Sequence, residues 1–306
     1  MIENPIASKK RTRQIQETWN ASTKKSFGQN FIVEAGVVDK IAKAAVLDPD
    51  GVVIEIGPGI GALTQFLCEY SKRVIAFEID PRFPPILEKE IASDHLEIIQ
   101  KDFLEVDVNE LLKPFAQSHT PVYFASNLPY YITTPILFKL FEAKEPIAAI
   151  TVMMQKEVAD RFMAKVGSKE YNALSVITQY RCNLKRVMDV NRNVFWPSPN
   201  VGSTVLQFTF RTDQPKIDES RFVALVKACF VQRRKTLLNN LQTWLESKDK
   251  ALALLENAGI EPATRAQQLE VKDFLRLYES LTRLEPTWQD AADQDETNES
   301  KQEGQA

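Results

Sequence analysis

The stretch Val52-Val-Ile-Glu-Ile-Gly-Pro-Gly-Ile-Gly61 decides the fold. Its first five residues form an apolar run that ends in glycines, which is typical of a buried strand, and the residues after 60 have the pattern of a helix. Gly57 and Gly59 let the backbone turn sharply and let a ligand approach closely, and amides at a helix N-terminus favour polar or anionic groups. The GxGxG spacing, with Pro58 inside it, suits a nucleoside better than the pyrophosphate that binds a GxGxxG loop. We therefore expect a strand, a ligand-binding loop and a helix in this order.

Strands and helices alternate along the chain on either side of this stretch. The further strands are predicted at 73–78, 96–100, 121–126 and 148–154, and then at 181–188 and 204–210 in a hairpin-like arrangement. The helices are predicted at 34–47, 60–70, 134–143 and 171–180, with others beginning at 84 or 85 and at 156. This alternation predicts an α/β fold with a doubly wound, mostly parallel sheet of seven strands.

The pattern changes near residue 215, where strand signals end and helical periodicity continues. The helical segments are 218–231, 235–247, 249–258 and 269–282. We therefore expect four regions along the chain. They are a basic arm or short helix at 1–22, an α/β catalytic domain at 23–213, a small all-α domain at 214–284 and an acidic tail at 285–306.

The net charge of the 306 residues hides an uneven distribution. The total is −3, but residues 285–306 hold seven acids and one base, net −6, which leaves +3 for residues 1–284. The tail has few aliphatic residues to bury, so we expect it to be disordered. Residues 1–25 hold six bases and two acids, and residues 227–240 hold four bases and no acid. Such local basic patches suit a nucleic-acid partner.

Composition also excludes several classes of protein. No apolar run reaches the ~20 residues that span a bilayer, and the N-terminus lacks the apolar region of a secretory signal. The three cysteines are far apart without a CxxC pair, and the chain has two histidines. A disulfide framework or a metal site is therefore not expected. We expect a cytoplasmic protein with no membrane partner.

Acidic residues follow the next two predicted strands. Glu78 ends the second strand, where a carboxylate can accept both hydroxyl groups of a ribose. Asp102 follows the third strand, where a side chain can reach an adenine edge. Because ligands of open α/β sheets bind at the carboxyl ends of the strands, these acids and the glycine loop together predict an S-adenosylmethionine site.

A second motif, Asn127-Leu-Pro-Tyr130, follows the fourth strand. The Asn127 side-chain oxygen and the Leu128 carbonyl can accept the two hydrogens of an exocyclic amine, and Pro129 separates them from an aromatic ring. Tyr130 offers a face on which a flipped base can stack. The motif therefore predicts amine methylation in which catalysis is mainly positioning.

Five stretches together resemble the ribosomal RNA adenine dimethyltransferases, in particular the bacterial branch that acts on the small subunit. They are residues 24–31 (KKSFGQNF), 55–61 (EIGPGIG), 127–131 (NLPYY), 195–203 (FWPSPNVGS) and 230–241 (FVQRRKTLLNNL). The resemblance covers about residues 20–283. It implies a Rossmann-like, S-adenosylmethionine-dependent methyltransferase with a helical C-terminal domain. It also implies a monomer that dimethylates two adjacent adenines in the 3′-terminal hairpin of 16S rRNA within the immature small subunit, with a role in subunit biogenesis.

The resemblance also implies roles for individual residues. The cofactor contacts fall on Asn30, Ile32, Gly57, Glu78, Asp102 and Asn127, and Gly59 belongs to the same loop. Tyr130 and Phe195 match the two aromatics that sandwich the target base, and the residues expected to contact RNA are Lys24, Lys25, Arg233, Arg234 and Lys235. The sequence departs from the family pattern at Ile32, a mild change from leucine, and at Asn200 and Gly202. The family usually has Asp at the position of Gly202, so a polar contact from that position is in doubt.

Three other functions fit parts of the sequence. A large-subunit adenine methyltransferase that confers macrolide resistance has the same chemistry, but Gly-Pro-Gly and Leu128 favour the small-subunit branch. A ribosome-assembly factor whose main service is binding would not need an intact Asn127 and Tyr130. A small-molecule methyltransferase would not explain the basic patches. Two roles are possible for residues 233–235. Consecutive residues of a helix point in different directions, so some of the three can contact phosphates while one or two only form salt bridges to the first domain.

Overall fold

The computed structural model describes residues 2–21, 30–128 and 132–286. The chain divides into two compact units. Among the described residues, the first unit contains those up to 159 and 182–210, and the second contains 160–181 and 211–286. Residues 160–181, which the sequence pattern assigned to the α/β domain, thus cluster with the helices that follow residue 211.

The first unit is built on a seven-stranded sheet. Its strands are β2 (Val52–Ile56), β3 (Arg73–Glu78), β4 (Leu96–Gln100), β5 (Val122–Asn127), β6 (Ala149–Gln155), β7 (Cys182–Val190) and β9 (Ser203–Phe210). The strand order is β4-β3-β2-β5-β6-β9-β7, with β2 to β6 parallel and the last two strands antiparallel. The doubly wound fold predicted from the alternation is confirmed.

One helix precedes the first strand of this sheet in the chain, and the others each come after one of its strands. They are α2 (Ala35–Ala45), α3 (Thr64–Tyr70), α4 (Pro84–Glu90), α5 (Val108–Gln117), α6 (Thr133–Phe141) and the start of α7 (Lys156–Phe162). The direction of winding reverses between β2 and β5, which are neighbours in the sheet although β3 and β4 lie between them in the chain. Such a reversal opens a crevice at the carboxyl ends of the two strands, and this crevice positions the candidate site.

A second, two-stranded sheet pairs β1 (Phe31–Ile32) with β8 (Phe195–Trp196) in antiparallel register. Phe31 lies opposite Trp196, and Ile32 lies opposite Phe195. The backbone N–H of Val33 extends the pairing by donating to the carbonyl oxygen of Val194 at 2.8 Å. This sheet joins residues that are more than 160 positions apart in the chain.

The N-terminal region contains helix α1 (Lys9–Thr18), whose first turn is capped by the Ser8 hydroxyl. Ile6 and Ile15 are buried in the core of the first unit, and the Ile6 N–H donates to Gln65 Oε1 at 2.9 Å. Arg11 forms an ion pair with Glu90 on α4. Of the two possibilities left open by the sequence, the structure has the helix, and it is packed against the unit.

The second unit is helical. It contains the end of α7, α8 (Ala173–Arg181), α9 (Glu219–Phe230), α10 (Leu237–Trp244), α11 (Lys248–Asn257) and α12 (Val271–Leu284). Its core includes the stacked rings of Phe230 and Phe274, whose centroids are 5.8 Å apart. Within the described ranges, no helix is both long enough and apolar enough to cross a membrane.

Candidate functional site

A cavity in the first unit lies at the carboxyl ends of β2, β3 and β5, with the loop after β2 along one side. Gly57, Gly59 and Gly61 all have positive φ, at +69°, +57° and +89°, a region that side chains rarely adopt. A Cβ atom on Gly59 would come within 3.2 Å of the Phe31 ring. The turn therefore favours glycine at all three positions, and the close approach of β1 is a second reason for it at position 59.

Glu78, the last residue of β3, lines the cavity and is 4% exposed. Its Oε2 accepts the N–H of Gly59 at 3.0 Å, and its Oε1 accepts the N–H of Asp80 at 2.8 Å. Burial raises the pKa of the Glu78 carboxyl, and the two N–H donors act in the opposite direction by stabilising the carboxylate. The side chain is thus held in one orientation at the glycine loop.

The end of β4 adds a second acidic residue to the same cavity. Asp102 lines it and uses Oδ1 to accept the N–H of Leu104 at 2.9 Å, which caps the 3₁₀ turn that follows. Ile79 and Phe103 supply apolar wall nearby, and Ile79 is 49% exposed although it is large and apolar. An apolar wall beside acceptors suits a planar ring with polar edges.

Asn127, the last residue of β5, lines the cavity next to the glycine loop. The hydroxyl of Ser126 donates to the carbonyl oxygen of Ile56 at 2.5 Å, which ties the ends of β5 and β2 together. Leu128 is buried and also lines the cavity. Pro129 and Tyr130 lie outside the described residues.

The two-stranded sheet brings the N-terminal segment and Phe195 to the cavity. Asn30, Ile32 and Phe195 all line it, and Ile32 and Phe195 form a directly opposed pair. Phe195 is 3% exposed. The structure thus places at one cavity every described residue that the sequence and the resemblance assigned to cofactor or target base: Asn30, Ile32, Gly57, Gly59, Glu78, Asp102, Asn127, Leu128 and Phe195.

Glu55 is a cavity residue to which the sequence analysis assigned no role. It is 1% exposed, and its Oε2 accepts no hydrogen bond from the described residues. Burial first, and the negative charge of Glu78 second, raise the pKa of Glu55 to about 8. The sequence feature that could have identified Glu55 is its position as an acid within the otherwise apolar run 52–56. A charged residue there costs free energy unless it has a function or a partner.

The residues expected to contact RNA are placed only in part. Lys24 and Lys25 lie outside the described residues. Arg233, Arg234 and Lys235 are exposed in a turn between α9 and α10. Lys235 therefore does not belong to a helix as the segment 235–247 implied, and the three do not occupy consecutive helix positions. A guanidinium nitrogen of Arg233 donates to the carbonyl oxygen of Ser168 at 3.3 Å, within the second unit. No cluster of three metal-ligating side chains occurs among the residues that the structure describes.

Comparison with known proteins gives a consistent result. The family described as Ribosomal RNA adenine dimethylase matches residues 20–283. A protein of Bacillus cytotoxicus named Ribosomal RNA small subunit methyltransferase A is 46% identical over 286 residues, which cover 90% of this chain and 97% of the relative. The protein of the same name from Bacillus mycoides is 45% identical over 284 residues, with the same coverage.

Two solved structures share the architecture over most of the chain. A dimethyladenosine transferase from Plasmodium falciparum superimposes with a TM-score of 0.69 and 27% identity, over 81% of this chain and 96% of that one. The 23S rRNA methyltransferase ErmE superimposes with a TM-score of 0.64 and 28% identity, over 82% of this chain and 99% of that one.

Proposed function

Because the chain belongs to the ribosomal RNA adenine dimethylase family and is an rRNA adenine methyltransferase, we propose that it dimethylates two adjacent adenines in the 3′-terminal hairpin of small-subunit rRNA, using S-adenosylmethionine. The observation that carries this proposal is the meeting of Glu78, Asn127 and Phe195 at one cavity beside the glycine loop. Each comes from a different strand end, and each supplies a different part of the chemistry.

The residues of the cavity fit a nucleoside cofactor. Glu78 is a fixed carboxylate whose oxygens keep lone pairs for ribose hydroxyls, since each accepts one N–H in the structure. Asp102 has a second oxygen for an adenine amine, and Ile79 offers an apolar face beside it. Ile32 on β1 and Asn30, which directly precedes this strand, would close the other side. When bound, S-adenosylmethionine supplies an electrophilic methyl group.

Asn127 would hold the target amine. Its side-chain oxygen accepts one hydrogen of the exocyclic amine and the Leu128 carbonyl accepts the other, which directs the nitrogen lone pair towards the methyl group. Bound S-adenosylmethionine would supply the methyl group to this nitrogen, and the proton that becomes acidic on the nitrogen would leave to solvent. Phe195 would stack against the flipped base, with Tyr130 proposed on its other face. Positioning therefore supplies most of the rate enhancement.

The relatives favour the small subunit as substrate. The two Bacillus proteins named for the small subunit are 45–46% identical, whereas ErmE, named for 23S rRNA, is 28% identical. We also propose that the substrate is the immature small subunit, that the protein acts as a monomer and that it acts in the cytoplasm. A role as an assembly factor is compatible with it, since binding and methyl transfer use different residues.

The test is methyl transfer to ribosomal particles from a strain that lacks the modification. Tritiated S-adenosylmethionine should label its small subunits and not its large subunits, and reverse transcription should then stop at the two adjacent adenines. Labelling of large subunits would favour the 23S alternative. Binding to small subunits without any methyl incorporation would contradict the enzyme proposal and support a role in assembly only.

A further inference from the structure

Trp196 follows Phe195 on β8 but lies on the other side of the strand. Successive side chains of a strand point to opposite faces, and here Phe195 lines the cavity at 3% exposure while Trp196 is 37% exposed. Trp196 is directly opposed to Phe31, another residue of the cavity wall. A large aromatic ring is therefore exposed one residue away from the proposed target-base site.

A cation from helix α1 lies over this ring. The guanidinium carbon of Arg13 is 4.5 Å from the centroid of the Trp196 ring, within the range of a cation–π interaction. Arg13 is exposed, as are Lys9 and Lys10 on the same helix, whereas Arg11 is engaged by Glu90. A guanidinium over an aromatic ring keeps its charge and its donors, so it can bind a phosphate while it stacks.

The Arg13–Trp196 pair is not needed to anchor α1. Ile6 and Ile15 are almost completely buried, and the Arg11–Glu90 ion pair and the Ile6–Gln65 hydrogen bond fix the helix independently. An anchoring contact would also be expected to bury its tryptophan, and this one keeps more than a third of its surface exposed. Exposed aromatic rings beside basic side chains are the usual surface for unpaired nucleotides.

We propose that Trp196 and Arg13 bind the nucleotide next to the target adenine, the ring stacking on its base and the guanidinium contacting its phosphate. This inference rests on the proposed function, in which that neighbour is the second substrate adenine. Flipping one base out of a stack exposes a face of the next, and Trp196 offers a ring to cover it. Glu17, one turn beyond Arg13, is the acid on α1, so the local charge still favours a phosphate.

The test combines a protein change with an RNA change. The RNA is the 3′-terminal hairpin of the small-subunit rRNA, intact or with an abasic site in place of the adenine beside the target. The parental protein should bind the abasic hairpin about tenfold more weakly, the size expected for one lost base–aromatic stack. Trp196→Ala should bind both hairpins with the same, weakened affinity, and Trp196→Phe should recover part of the difference. An equal effect of the abasic site on the parental protein and Trp196→Ala would overturn the proposal.

Activity supplies the second readout. With undermethylated small subunits, Trp196→Ala and Arg13→Gln should raise KM for particles about tenfold, with affinity for S-adenosylhomocysteine unchanged. Arg73→Gln is the matched control, because Arg73 lies over Phe115 in the same kind of pair at the start of β3, away from the cavity. A parental KM in both variants would also overturn the proposal. If the parental protein methylates no RNA, the proposed function fails, and the hairpin binding still decides whether Trp196 contacts RNA.

Discussion

Gly59 donates its backbone N–H to Glu78 across the ends of two neighbouring strands, at 3.0 Å. The carboxylate that we propose for the cofactor ribose therefore also fixes the loop against which the cofactor would lie. Loop conformation and ligand contact depend on the same side chain.

Glu78→Ala should weaken the binding of S-adenosylhomocysteine by at least about tenfold, because hydrogen bonds to a charged acceptor contribute about 1.5–3 kcal/mol each. Calorimetric titration measures this directly. Glu97→Ala is the matched control, since Glu97 is an exposed acid on the next strand that pairs with Arg73. Unchanged affinity in folded Glu78→Ala would exclude the ribose assignment.

Asn127→Ala should lower the rate of methyl transfer at saturating cofactor by at least about 100-fold, because a misoriented amine loses much of the positioning effect. Binding to small subunits should change by less than about 1 kcal/mol, since phosphate contacts supply most of the affinity. Tritiated methyl incorporation measures the rate of transfer, and co-sedimentation with the same particles measures binding. Near-parental methylation would show that the motif at the end of β5 does not orient the amine.

Arg233→Ala/Arg234→Ala should weaken RNA binding and reduce the slope of log affinity against log salt by up to about two, about one for each lost phosphate contact. The matched control is Lys272→Ala/Arg276→Ala, which removes two cations of the same unit that are paired with Glu270 and Asp273. An equal reduction of the slope in both double variants would show that the effect comes from net charge and not from phosphate contacts of Arg233 and Arg234.

Glu55→Gln should change how stability depends on pH. The pKa of Glu55 is raised from 4.5 to about 8 in the folded protein, so between these values the folded state holds a proton that the unfolded chain releases. Stability from this group is complete below pH 4.5 and falls as pH rises towards 8, by about 1.4 kcal/mol per unit. Urea unfolding from pH 5.5 to 8 should show a flatter decline for Glu55→Gln than for the parental protein. An unaltered profile in Glu55→Gln would mean that Glu55 is ionised when buried.

Gly61→Ala should destabilise the first unit more than backbone strain alone can explain. At φ +89° an added Cβ would lie 2.5 Å from Ile91 Cδ1 and 2.8 Å from Leu87 Cδ2. Gly167→Ala, in the second unit, is the control for backbone strain alone, because Gly167 has φ +82° and nothing within 4 Å of the added atom. We expect about 1 kcal/mol for the control and about 2–4 kcal/mol for Gly61→Ala in thermal unfolding. Equal losses would show that α4 moves aside without cost.

The sequence predicts β2, β3 and β4 well, because each is a short, mostly apolar run. All three begin and end at the predicted residues, including β4 at the edge of the sheet. Helix α5 was not predicted, and it contains Pro114, a residue that normally argues against a helix interior. The strands β1 and β8 were not predicted either, since two residues are too few to show a period of two.

The site is predictable where its residues follow strand ends, as Glu78, Asp102 and Asn127 do. Phe195 is different, because its own pattern is that of a core residue, and only the resemblance indicated a base-contacting role. Its place at the cavity depends on pairing with Ile32, a contact over more than 160 residues that no local pattern records. The environment of Glu55 depends in the same way on β3 and β5, which pair with its own strand on either side.

The pairing of β1 with β8 has a consequence for which insertions and deletions the protein can tolerate. Side chains alternate along a strand, so adding or removing one residue beside the pair would exchange the positions of Phe195 and Trp196. The tryptophan would then enter the cavity and the phenylalanine would leave it. We expect natural length variation to avoid the positions that flank this small sheet, and to concentrate instead in exposed turns such as the one around Gly167, where an added atom meets nothing within 4 Å.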